Sequence, residues 1–179
     1  MPAPPFTARR LTVLALLTAA ALAIYLLESA LPPPLPVPGV KLGLANVITL
    51  VVLLCMSPRD AFLVLLLRII LGCLLGGQMV SFLYSLAGGL VCFAVMWLLV
   101  YFLKGRYSVL ISISGALAHN AAQLLMAVWI TSTPALFAYA PVLVLSAAAA
   151  GTFTGLCVQV SRPFLAHYLK SSGSSPDHM

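Results

Sequence analysis

The sequence predicts an all-α polytopic membrane protein: a bundle of six transmembrane helices with both termini in the cytoplasm. Three observations carry this expectation. The 179 residues are 63% hydrophobic and only 7% charged, against about 25% charged residues in a soluble domain, so most of the surface has to face lipid. The apolar residues fall into runs near spanning length. The basic residues alternate with those runs: Arg9 and Arg10, Arg59, Lys104 and Arg106, then Arg162 and Lys170 all fall on one side of a six-crossing chain, with Lys41 on the other. Excess Lys and Arg marks the cytoplasmic side, and the plasma (inner) membrane is the expected location. Topology alone accounts for the net charge of +6, with no nucleic acid required.

Residues 1–10 are expected to form a cytoplasmic segment, 11–169 the membrane domain, and 170–179 a disordered Ser-, Gly- and Pro-rich tail. Helix one is expected over 11–31. Its run of about 20 apolar residues has spanning length and exceeds a signal-peptide core, so it is a membrane helix rather than a cleaved leader. It carries Ala15, Ala19 and Ala23 at four-residue spacing. This small-residue stripe either packs inside the bundle or offers a flat groove to another subunit's helix. Five prolines follow within 32–38, predicting an extended strap at the outer surface. Gly39 and Gly43 let the strap turn and pack closely.

Helix two is expected over 42–56 and helix three over 61–76, both short for a span at 1.5 Å per residue and so tilted or lengthened by flanking turns. Helix four follows over 79–103, with Ser81, Tyr84, Ser85 and Gly88 along one face. Helices five and six are expected over 109–130 and 134–165.

Two charges lie outside this topology. Arg68 falls in the middle of helix three, where an arginine costs about 2.5–3.5 kcal/mol on insertion scales, so it has to face the interior and find acceptors. Glu28 lies near the outer end of helix one. A Glu28–Arg68 or Glu28–Lys41 ion pair is the structural solution; a ligand or transport site is the functional one. On helix five Ser112, His119 and Gln123 share one stripe, with Asn120 beside it. Turned to lipid, these groups would stay unpaired at a cost of several kcal/mol, so the stripe points inward, either as interhelical hydrogen-bonding groups or as ligand contacts.

Several chemistries are excluded. No carboxylate or cysteine cluster joins His119 to make a metal site. Cys55, Cys73, Cys92 and Cys157 are scattered without C-x-x-C spacing, which argues against a disulfide frame or zinc. There is no phosphate-binding G-x-x-x-x-G-K-[ST] loop. The three carboxylates, Glu28, Asp60 and Asp177, are too dispersed to hold magnesium for diphosphate chemistry. "SISG" at 112–115 lacks the first glycine of an intramembrane serine protease motif, and His119 lies only five residues beyond Ser114 on the same helix. Neither a catalytic residue nor a cofactor is expected.

The stretches "PGVKLGLANVITL", "LLRIILGCLLGG", "FLYSLAGGL" and "GALAHNAAQLL" together resemble the Gx transporter family, also labelled heptaprenyl diphosphate synthase component I, in order across 11–165. That family resembles the substrate-binding S-components of energy-coupling-factor (ECF) transporters. The resemblance implies a six-helix binding subunit that captures a micronutrient or precursor at the outer face. Its partners would be a transmembrane coupling subunit and two ATPase subunits. It also implies that Ala15, Ala19 and Ala23 mark the docking face, and that the strap helps to close over the substrate. The expected pocket residues are Lys41, Asn46, Arg68, Tyr84, His119, Asn120 and Gln123. Lys41 and Arg68 suit an anionic group, and Tyr84 offers a flat amphipathic contact. The synthase label carries the alternative, a membrane component of isoprenoid diphosphate synthesis; a ligand-free scaffold subunit is a third reading.

Overall fold

The computed structural model describes residues 8–30, 41–76 and 79–170. Their element order is α1 (Ala8–Ala30), α2 (Asn46–Cys55), α3 (Pro58–Gly76), α4 (Met79–Leu103), α5 (Ser108–Thr131), a short 3-10 helix (Pro134–Tyr139) and α6 (Ala140–Lys170), with no strand among the described residues. Four segments are long and apolar enough to cross a membrane: α1, α4, α5 and the continuous stretch Pro134–Tyr168. α3 has the length but carries Arg59, Asp60 and Arg68. α2, at ten residues, rises only about 15 Å, half of a hydrocarbon core of roughly 30 Å.

The short helix organises the bundle. Every residue of α2 except Val47 and Ile48 is buried, and α2 packs against α1, α3, α4 and α6. A helix that is apolar all round belongs inside, and Leu50 to Cys55 form the centre of the main core, together with Leu14, Val64, Met96, Val100, Ile111 and Val158. Gly151 and Gly155 let α6 lie directly on α5: a Cβ at either would come within 2.6 Å of an α5 backbone atom, at Ile113 and Val109 respectively. Large apolar side chains point outward instead, among them Leu16, Leu74, Leu145 and Phe164. Exposed aromatic residues sit toward both ends of the bundle, Trp97, Tyr101, Phe102 and Tyr107 at one and Trp129, Phe137 and Tyr139 at the other, as amphipathic rings do at membrane–water interfaces.

Three boundaries differ from the sequence expectation. Helix two starts at Asn46 rather than 42, because residues 41–45 are drawn into a non-helical turn by contacts with other helices. α3 starts earlier, at Pro58. Ser57 Oγ accepts the Asp60 N–H (3.3 Å) and Asp60 Oδ2 accepts the Ser57 N–H (3.2 Å); this reciprocal cap with proline at the first helical position is a strong start signal. The last apolar run divides at Ala140, and α6 continues through Pro163 to Lys170. The expected proline strap falls mostly, and the tail beyond Lys170 wholly, outside the described residues.

Candidate functional site

The site grows from the way α2 begins. Because α2 is half-length, its N-terminus lies inside the bundle, and the non-helical residues 41–45 that lead into it are buried or half-buried. Backbone N–H groups there need acceptors, since neither water nor a preceding helical turn supplies them. Other helices do. The Glu28 carboxylate of α1 accepts the N–H groups of Gly43 (2.6 Å) and Leu44 (3.1 Å), a placement also favoured by the positive end of the α2 dipole. Gln123 Oε1 of α5 accepts the Lys41 N–H (3.2 Å). Gly43 has φ +78° and turns the chain so that the Asn46 N–H reaches its carbonyl (3.0 Å). A Cβ at Gly43 would lie 2.8 Å from His119 Cδ2, so both the backbone angle and the close approach require glycine.

Below this turn, three polar side chains from three helices form a chain. Arg68 Nη2 donates to Asn46 Oδ1 (2.9 Å), and Asn46 Nδ2 faces His119 Nδ1 at 3.3 Å. Arg68 fixes the amide with its oxygen toward the guanidinium, so Nδ2 is the donor to the imidazole. In the tautomer where His119 Nδ1 accepts from that amide, the ring proton lies on Nε2. His119 lies between two glycines, with Gly43 on one side and Gly88 of α4 on the other; a Cβ at Gly88 would come within 2.7 Å of the ring and 3.0 Å of Gln123 Cγ.

This cluster is incompletely satisfied. Arg68 Nε, His119 Nε2 and Gln123 Nε2 are buried without hydrogen-bond partners, as is the Thr49 hydroxyl one turn below Asn46. Leaving a buried donor unpaired costs about 1–3 kcal/mol, and fully packed interiors seldom tolerate several together.

Of the residues expected from sequence, the structure brings Asn46, Arg68, His119 and Gln123 together, along with the backbone of Lys41. The Lys41 side chain is directed elsewhere: its ammonium lies 3.3 Å from the centroid of the Tyr25 ring and donates to Ser29 Oγ. Tyr84 is fully buried against Leu124, Ala127 and Leu143. Asn120 turns to α6, donating to Leu143 O (3.1 Å) and Ser146 Oγ (3.3 Å), with Oδ1 unpartnered. Ser112 likewise bonds Thr154 of α6 at 2.6 Å, so the helix-five stripe separates into α6-facing groups and the His119–Gln123 pair.

Glu28 makes no ion pair with Arg68 or Lys41 among the described residues; its carboxylate serves the backbone of the turn. Sequence reasoning missed that role, and it missed Tyr25, Thr49 and the packing of Gly88 against His119. Tyr25 had a legible signal, an aromatic one turn before Glu28 on the same face.

Away from this cluster, Ala15, Ala19 and Ala23 are all exposed along α1. At the arginine-bearing end of the same helix, an open groove of about 480 Å³ runs between Thr12, Val13, Leu16 and Leu17 of α1 and Leu165 and Tyr168 of α6. No group of three or more His, Cys, Asp or Glu that could hold a metal occurs among the described residues.

The sequence model of the family described as heptaprenyl diphosphate synthase component I matches residues 17–160. No curated protein matches the chain, and no solved structure does.

Proposed function

The chain belongs to the heptaprenyl diphosphate synthase component I family, and we propose that it is the substrate-capturing membrane subunit, the S-component, of an ECF-type importer. In this reading all six α-helices lie in the plasma membrane and both termini face the cytoplasm. A small, anionic micronutrient or precursor enters from outside, past the turn at residues 41–45. The observation that carries the reading is the set of buried, unpartnered polar atoms on Arg68, His119 and Gln123, held at the depth where α2 begins. The exposed alanine stripe of α1 is the face offered to a transmembrane coupling subunit, and ATPase subunits supply the energy.

The test is retention of a small molecule through gentle purification, read by mass spectrometry. Arg68→Ala is expected to abolish retention while the chain keeps its helicity and elution volume. Unchanged retention removes Arg68 from the site.

The family's name supports a second reading, a membrane component of isoprenoid diphosphate synthesis. Against it, Glu28 is engaged by two backbone N–H groups and Asp60 by Arg10, which leaves neither carboxylate free for a metal–diphosphate centre. Prenyl transfer by the purified chain with magnesium, in the absence of another subunit, would establish this second reading in place of the first.

A further inference from the structure

Beneath the turn at residues 41–45, three unpartnered side-chain nitrogens can act as donors: Arg68 Nε, His119 Nε2 and Gln123 Nε2. Arg68 Nε–H can only donate. In the tautomer that Asn46 Nδ2 favours by donating to Nδ1, His119 carries its proton on Nε2. The Gln123 amide presents its NH2 group because Oε1 is held by the Lys41 N–H. His119 Nε2 lies 2.9 Å from a Cβ placed at Gly43, the Gln123 amide is bonded to Lys41 in the same turn, and Arg68 reaches the first residue of α2 through Asn46, so the three side chains share one neighbourhood beneath the turn. The carboxylate and amide oxygens that bond into the turn and the cluster are already committed. Both Glu28 oxygens take backbone N–H groups, and Asn46 Oδ1 takes Arg68.

Resting on the reading of this cluster as a ligand site, we propose that the group it takes is a deprotonated oxyanion, a carboxylate or a phosphate. An amide or an alcohol offers lone pairs but no negative charge to the guanidinium, and a protonated amine brings only donors and a positive charge. An oxyanion brings lone pairs alone and meets the guanidinium with the charge-assisted bonds that groups of this kind form. Asn46 is a positioning residue in this scheme: its locked amide sets the tautomer that makes His119 a donor.

The experiment uses the full chain in lipid nanodiscs. Nitrogen NMR of 15N-histidine protein, with the His119 signal assigned by its loss in His119→Gln, reads the tautomer without any ligand. The expected result is a proton on Nε2 that moves to Nδ1 in Asn46→Asp; a proton on Nδ1 in the unaltered chain overturns the proposal. Thermal unfolding is then titrated with hexanoate, hexanamide, hexylamine and inorganic phosphate. Hexanoate or phosphate is expected to bind at least about 10-fold more tightly than the amide, since a site built on fixed hydrogen bonds discriminates strongly against a mismatched group. Which of the two anions responds identifies the source of the oxyanion. That preference is expected to disappear in Gln123→Glu. Equal or tighter binding of the amide or the amine overturns the proposal, and so does silence from all four probes. Assembly with a coupling subunit, scored on the same preparations, tests the importer reading separately; a chain that assembles but shows no acid preference sinks only the oxyanion.

Discussion

The bundle buries charge in two places, and the two are built oppositely. At the arginine-bearing end, Arg10 of α1 donates twice from Nη2 to the Asp60 carboxylate of α3, at 2.8 and 2.7 Å. Asp60 also accepts the Ser57 N–H (3.2 Å) and the Ser57 hydroxyl (2.8 Å). That circuit is closed, and its carboxylate has no unpartnered atom. Around His119, Arg68 and Gln123 each engage one neighbour and leave another polar atom unused. Both clusters carry the cost of taking charge out of water, yet only one spends its full bonding capacity within the chain. On the proposed reading the difference separates a clamp from a receptor: the Asp60 cluster closes on itself, and the cluster around His119 keeps bonds for a guest.

The largest expected effect breaks the clamp. Asp60→Ala removes the carboxylate that Arg10 bonds and half of the α3 cap, costing about 3 kcal/mol. Denaturant unfolding in micelles measures the loss, and ligand retention in the surviving folded fraction stays at the level of the unaltered chain. Retention that fell while stability held would invert the roles assigned to the two clusters.

Gly43→Ala acts on the other cluster with a smaller effect on stability and a larger one on binding. The new Cβ sits at positive φ and against His119, so the turn must lift, at a cost of about 1–2 kcal/mol. Retention is expected to fall by more than that destabilisation accounts for, because the lifted turn no longer holds Gln123 through the Lys41 N–H. An alanine accommodated with full retention would show that the turn is a spacer and does not form the roof of the site.

Much of this was legible in the sequence. Arg68 had to face inward because lipid offers it no acceptor, and it does. The i, i+4 relation of His119 and Gln123 put both on one face, and the structure keeps them together. What sequence could not supply was depth. In the apolar run from Leu42 to Met56 only Gly43 hints locally that the first turn is unwound; the unwinding is fixed by Glu28 and Gln123, on helices one and five, capturing its N–H groups. The partners of Glu28 were missed for the same reason, since charge pairing suggests another side chain and says nothing of a backbone. Lys41 was expected beside the guest, but its ammonium is held at the Tyr25 ring, a contact with no pattern in the sequence beyond an aromatic one turn before Glu28.

The smallest effect on stability is expected on the α1 surface that runs between the two clusters. Ala19 is exposed, and neither Arg10 nor Glu28 depends on it. Ala19→Leu adds apolar surface where lipid already lies, so unfolding should change by less than about 0.5 kcal/mol, and ligand retention should not change. A bulky side chain does, however, prevent another helix from approaching along Ala15, Ala19 and Ala23, since close helix contact in a membrane depends on small residues. Pull-down with the coupling and ATPase subunits should therefore lose the complex in Ala19→Leu while a control, Leu145→Ala on the exposed face of α6, keeps it. Equal recovery of both variants would return the stripe to ordinary lipid-facing surface. It would also leave the receptor cluster as the one part of the importer reading still supported by a specific set of atoms.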